Sequence, residues 1–231
     1  MKSIVFDSGP IISLGLNSML GILKPLKEKY GGEFYITQSV RSELVDIPIK
    51  GKKFKLEAFQ VEEQIRLGVL KVVHDEHIMG TTRKLLDIAN NTYFSNDQPI
   101  NVVQFGEISS LALACHLRAD AVVIDERATR DLLEDPENLT RRLAYKLGTQ
   151  VKMNPEFSQK WRRELCDLRV IRSVELATVA FESNMFANLI PPETRIKNPR
   201  QEFLEALLWG IKLNGCSVSE KEIARIMKIE F

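Results

Sequence analysis

The chain has 231 residues, 44% of them hydrophobic and 27% charged, the composition of a globular protein with one main domain that buries a core without staples. Its 32 Lys and Arg against 31 Asp and Glu leave a net charge of +1, which excludes a whole-molecule field for a polyanion and confines any such site to a local patch. Three widely spaced cysteines (Cys115, Cys166, Cys216) form no C-x-x-C pair, and neither a signal-peptide pattern nor an apolar run of ~18 residues is seen; reduced, buried thiols, a cytoplasmic location and no membrane partner are expected.

In chain order, residues 3–7 are β-branched and aromatic without alternation, as in a strand buried on both faces, and the run ends on Asp7. Pro10 suits a first helical turn, and the dense apolar residues of 10–23 predict one well-buried helix. Gly31-Gly32 is a stop signal, 34–37 a second strand, and Ser39 the expected cap of the next helix. A helix over 54–68, a strand over 69–73, a helix over 79–91 and a polar loop over 91–99 follow. Gly106 precedes a helix of small and apolar residues over 107–117, a strand over 119–125 ends on Asp125, and 127–134 is helical.

This alternation predicts an α/β fold on a parallel sheet, with its chemistry at the carboxyl ends of the strands. After about residue 136 the chain turns basic, with Lys146, Lys152, Lys160, Arg162, Arg163, Arg169 and Arg172. A helix-like stretch over 173–186, a Pro-rich linker over 191–200 and an amphipathic helix over 201–215 come next. An S-x-x-E pattern, Ser219 to Glu222 or Ser217 to Glu220, opens the last helix. The division is placed between a domain over 1–150 and a mostly helical C-terminal extension over 151–231.

Four acids then share one kind of place. Asp7 and Asp125 end strands, Glu107 opens a helix after Gly106, and Glu43 lies early in the helix after the second strand. Carboxylates gathered at one sheet edge repel each other unless cations neutralise them. Oxygen donors of this kind suit Mg²⁺ or Mn²⁺, which activate water and stabilise charge on a displaced phosphate oxygen. The competing reading makes Glu43 and Glu107 surface or capping residues, favoured at helix starts by about 0.3–1 kcal/mol. It suits Asp7 and Asp125 poorly, because each interrupts an apolar run.

Read together, "IVFDSGPIISL", "YITQSVRSELV" and "GEISSLALACHLRADAVVIDERATR" resemble the PIN-domain nuclease family over about residues 3–135. The last of these is similar to archaeal and bacterial members related to VapC-type toxins of toxin–antitoxin pairs. The resemblance implies a three-layer α/β/α fold and a metal-dependent endoribonuclease. Its catalytic and metal-binding acids would be Asp7, Glu43, Glu107 and Asp125, with Mg²⁺ or Mn²⁺ as cofactor. Glu107 stands where many members have Asp. Asp125 and Glu126 compete for the fourth place; Asp125 is preferred because it sits directly at the strand end. The resemblance also implies RNA as substrate, a homodimer, and an antitoxin-like inhibitor as partner. The alternative is a PIN-like module that binds RNA or protein without cutting. A phosphatase with Asp7 as nucleophile is disfavoured by Gly9, where a second Asp belongs.

Ser8 either supports Asp7 or caps the first helix. Arg127 and Arg130 either meet phosphate oxygens or pair with Asp131 and Glu134 on their own helix. In the tract 141–172, Lys160, Arg162 and Arg163 are candidate RNA phosphate contacts, with Tyr145 and Trp161 as stacking candidates. The competing picture is a solvated helix face with one aromatic anchored in the core. His74 and His77 around Asp75-Glu76, and the pair Cys115-His116, are weaker candidates for a metal or nucleophilic site.

Overall fold

The computed structural model describes residues 2–74, 76–165, 168–190 and 195–231, without the side chain of His77. The first half runs β1 (Ser3–Phe6), α1 (Ser8–Leu16), α2 (Leu23–Tyr30), β2 (Glu33–Thr37) and α3 (Gln38–Arg41), which passes into a π-helical turn (Ser42–Asp46). Then come α4 (Lys55–Arg66), β3 (Leu70–Val73), α5 (Glu76–Asn90), β4 (Tyr93–Ser95), β5 (Gln98–Pro99), α6 (Phe105–Leu117), β6 (Ala121–Val123) and α7 (Arg127–Glu134). The remainder holds α8 (Pro136–Leu147), β7 (Val151–Met153), α9 (Pro155–Glu164), β8 (Val170–Ile171), α10 (Ser173–Glu182), α11 (Pro199–Leu213) and α12 (Glu220–Glu230).

β1 is buried throughout, and its side chains divide between two cores, Ile4 and Phe6 on one face and Val5 on the other. β2 and β6 divide the same way: Phe34 and Ile36 oppose Tyr35, and Ala121 and Val123 oppose Val122. The strands form one parallel sheet in the order β3-β2-β1-β6-β8. A sheet that is apolar on both faces must be covered on both, which gives the three-layer α/β/α architecture. α1, α2, α10 and α11 pack on the Phe6 face, and α5, α6, α8 and α9 on the Val5 face. The C-terminal part is helical and also supplies β8, which extends the sheet beyond β6.

The structure departs from the sequence expectations at several places. The helix expected over 10–23 breaks at Ser18, whose φ of 58° belongs to the left-handed region, and resumes through a 3₁₀ turn at Leu20–Ile22. Thr37 rather than Ser39 caps α3, accepting the Val40 N–H at 3.2 Å. The stretch 91–99, expected as a polar loop, holds a hairpin. Asn96 and Asp97 both take positive φ, as its turn requires, and β4 pairs with β5 and β7 in a second, antiparallel sheet. Ser219 caps α12 in a box with Glu222, the first of the two expected registers. Cys216 is a buried free thiol, as expected; Cys166 lies outside the described residues. Among the described residues no helix is long and apolar enough to cross a membrane.

Candidate active site

The strand order turns at β1. β2 and β3 lie to one side and β6 and β8 to the other, so the connections leaving β1 and β6 diverge and open a crevice at their carboxyl ends. Asp7 follows β1 directly and is held there by its N–H, which donates to the Val123 carbonyl at 3.0 Å. Asp125 and Glu126 follow β6 at the opposite lip. The crevice holds a cavity of about 170 Å³ lined by Asp7, Ser8, Glu43, Gln104, Glu107, Asp125 and Glu126, with Asn214 and Gly215 closing it from the C-terminal part. The four acids expected from the sequence therefore face one cavity, together with the fifth that competed for the fourth place.

Asp7 is buried and caps α1: its Oδ2 accepts the Gly9 N–H at 3.5 Å. Ser8 is accordingly not the cap but the first helical residue, on the cavity wall. Oδ1 of Asp7 is buried without a hydrogen-bond partner. Burial pushes the carboxyl up to about 7; the charges of Glu107 and Glu43 add to the rise, and the N–H groups of Ser8 and Gly9 oppose it.

Glu107 is the third residue of α6 and closes a capping box, its Oε2 accepting the Gln104 N–H at 2.9 Å. Burial raises its pKa against that hydrogen bond, and the charges of Glu126 and Glu43 add to it. Glu43 leaves the π turn and crosses over Gly106, where a Cβ would run into its carboxylate. Glu107 thus caps α6, as the competing reading has it, and also lines the cavity.

Asp125 is buried with both carboxylate oxygens engaged: Oδ1 accepts the Ser173 N–H at 2.8 Å and Oδ2 the Ser173 hydroxyl at 2.6 Å. Its carbonyl accepts the Ser217 hydroxyl at 2.7 Å. Burial raises its pKa, and the bonds from Ser173 and the Cys216 thiol offset part of the rise. Glu126 is exposed and caps α7 through the Ala128 N–H at 3.3 Å, and its charge reaches Glu107. Among the described residues no three Asp, Glu, His or Cys side chains are drawn together as a ready-made metal cage. The cavity instead presents a wall of carboxylates with one orphaned oxygen, a donor set whose chemistry fits a hard divalent cation.

The basic candidates lie off this cavity. Arg127 is exposed, 4.0 Å from Asp131. Arg130 donates to the Ser217 hydroxyl at 3.2 Å and so ties α7 to the C-terminal part. Lys160 pairs with Glu156 at 2.8 Å. Arg162 and Arg163 share α9 with Trp161, which is buried in the core, as the competing picture has it. The sequence reading missed Gln104, Ser173, Asn214, Gly215 and Ser217. Ser173 and Ser217 stand 48 and 92 residues from Asp125, and no local pattern marks them. Of the histidine candidates, Asp75 and the His77 side chain lie outside the described residues.

No curated protein and no solved structure matches the chain. A family model described as a PIN domain matches residues 3–137, from β1 to the start of α8. That span is more than half the chain and contains all five carboxylates of the cavity. By this match and by its three-layer fold, the chain belongs to the PIN-domain family, whose fold is of the nuclease type.

Proposed function

We propose that the protein is a metal-dependent endoribonuclease that hydrolyses RNA phosphodiester bonds at the cavity between β1 and β6. The observation that carries the proposal is the buried, unpartnered Oδ1 of Asp7 among other carboxylates. A buried carboxylate oxygen without a partner, set among like charges, favours a cation beside it. Asp7, Glu43 and Glu107 would hold Mg²⁺ or Mn²⁺, with Glu126 or Asp125 in the fourth place. An ion bound there supplies charge neutralisation, a more acidic water and stabilisation of the departing oxygen.

The chain's own part is positioning. The Val123 carbonyl fixes Asp7, the Gln104 N–H fixes Glu107, and the bare Cα of Gly106 gives Glu43 room. Ser8, on the cavity wall at the start of α1, would meet a phosphate oxygen. RNA as the substrate comes from the family resemblance.

The test is cleavage of a labelled, mostly single-stranded RNA in EDTA, Mg²⁺ or Mn²⁺ by the protein and by Asp7→Asn. Cleavage should require the metal, and the variant should lose more than the about 10–100-fold typical of groups that only orient a ligand. Equal cleavage by both proteins overturns the assignment. The engagement of both Asp125 oxygens by Ser173 favours one second reading, a PIN domain that binds RNA without cutting. Metal-independent RNA binding with no cleavage under any condition would establish it.

A further inference from the structure

A second cavity of about 400 Å³ opens beside the acidic one, and Glu126 is a wall of both. It is floored by Leu139 and lined by Arg141, Arg142, Tyr145 and Lys146 of α8. These positions are spaced i, i+1, i+4 and i+5, so they occupy one side of the helix on successive turns about 5.4 Å apart. Tyr145 is 92% exposed. Arg141 and Lys146 are exposed as well, and among the described residues neither is ion-paired. Arg142 is held by Asp131, which fixes its place in the groove and neutralises part of its charge. An aromatic ring left in water between unpaired cations adds nothing to a core. Beside a site for a polyanion it is the pattern of single-strand binding, in which cations follow the backbone and a ring stacks on a base.

We infer that this groove is the track for the single-stranded RNA that flanks the bond to be cut, with Arg141 and Lys146 on its phosphates and Tyr145 under a base. The inference rests on the ribonuclease reading. It moves the substrate contact from α9, where Lys160, Arg162 and Arg163 lie off the acidic cavity, to α8. All of the groove's α8 wall lies beyond residue 137, where the family match ends, so the track would be a feature of this chain's own elaboration.

Binding of a fluorescein-labelled single-stranded RNA to Asp7→Asn protein in EDTA, followed by anisotropy over a range of salt, tests the track without cleavage. Adding Tyr145→Ala should weaken binding about tenfold or more. Adding Arg141→Gln with Lys146→Gln should flatten the slope of log affinity against log salt by about 1.4, or about 0.7 for each phosphate no longer neutralised. Lys160→Gln with Arg162→Gln and Arg163→Gln should change neither. The substituted groove residues are exposed, so the variants keep the fold, which circular dichroism verifies. Unchanged affinity and slope in the α8 variants overturn the track. If the wild-type protein nevertheless cuts RNA, the ribonuclease reading survives that failure. Weakened binding in the α8 variants with no cleavage by the wild type keeps the track and overturns the ribonuclease reading. An equal loss of affinity for double-stranded DNA overturns the single-strand assignment.

Discussion

The two oxygens of Asp7 differ: one caps α1 and the other is buried and unpaired. Burial and the neighbouring carboxylates push its carboxyl from an ordinary 3.8 up to about 7. The folded chain therefore holds this proton more tightly than the unfolded chain does. The penalty from this group is absent below about pH 4, grows as pH rises, and is complete above about pH 7. Metal-free Asp7→Asn should match the wild type near pH 4 and exceed its stability at pH 8 by ~2–4 kcal/mol in denaturant titrations. Added Mg²⁺ should stabilise the wild type and not the variant. A difference between the two proteins that fails to grow from pH 5 to pH 8 would contradict this. At the other lip, Glu126→Gln should lower cleavage about tenfold or more with an unchanged melting temperature. Asp125→Asn should also lower the melting temperature, because it weakens buried hydrogen bonds to a charged group worth about 1.5–3 kcal/mol. Full activity in Glu126→Gln would return the fourth place to Asp125.

Single elements show how local rules serve the site. α6 begins with Phe105-Gly106-Glu107, and its box with Gln104 fixes the start that aims Glu107. The absence of a side chain at Gly106 lets the carboxylate of Glu43 lie across it. Alanine favours a helix over glycine by about 0.8–1 kcal/mol, so Gly106→Ala should leave stability within ~1 kcal/mol of the wild type. It should displace Glu43 and reduce cleavage about tenfold or more; full activity in this variant would exclude Glu43 from the site. The helix α6, the strands β1, β2, β3 and β6, and the acids at their ends were legible in short windows, because buried runs and the residues that interrupt them are local patterns. The break between α1 and α2 was not, since Ser18 adopts left-handed backbone with no glycine to signal it. The β4–β5 hairpin was hidden for a different reason. Its Asn96-Asp97 turn is a recognised signal, but the strands beside it are very short, and β4 takes its other partner from β7, over fifty residues away.

In the whole molecule, the residues after 150 are bound into the structure that holds the site. β8 pairs with β6, and Leu204, Leu207, Leu208 and Ile211 of α11 share a core with β1 and β2. Arg172 joins Glu222 at 2.8 Å and the Ser217 carbonyl at 3.2 Å, so α10 and α12 are fastened beside Asp125. Burial alone would raise Glu222, but the bonds from Ser219 and Arg172 outweigh it and hold its carboxyl at about 2. Leu208→Ala should cost ~2–5 kcal/mol. Its unfolding should stay a single transition by circular dichroism and by the fluorescence of Trp161 and Trp209, which lie at different cores. Two separate transitions would instead support a domain boundary near residue 150.

By itself the sequence determined the α/β class, the parallel strands and the candidate acids, because each is written in a run of fewer than about fifteen residues by burial and by the charge that breaks it. Only the tertiary structure decided that Asp125 spends its carboxylate on Ser173 while Glu126 stays exposed, that Asn214 and Gly215 close the cavity, and that the exposed cations of α8 lie beside it. Those relations join residues far apart in the chain. Packing of layers, rather than any local preference, brings them together.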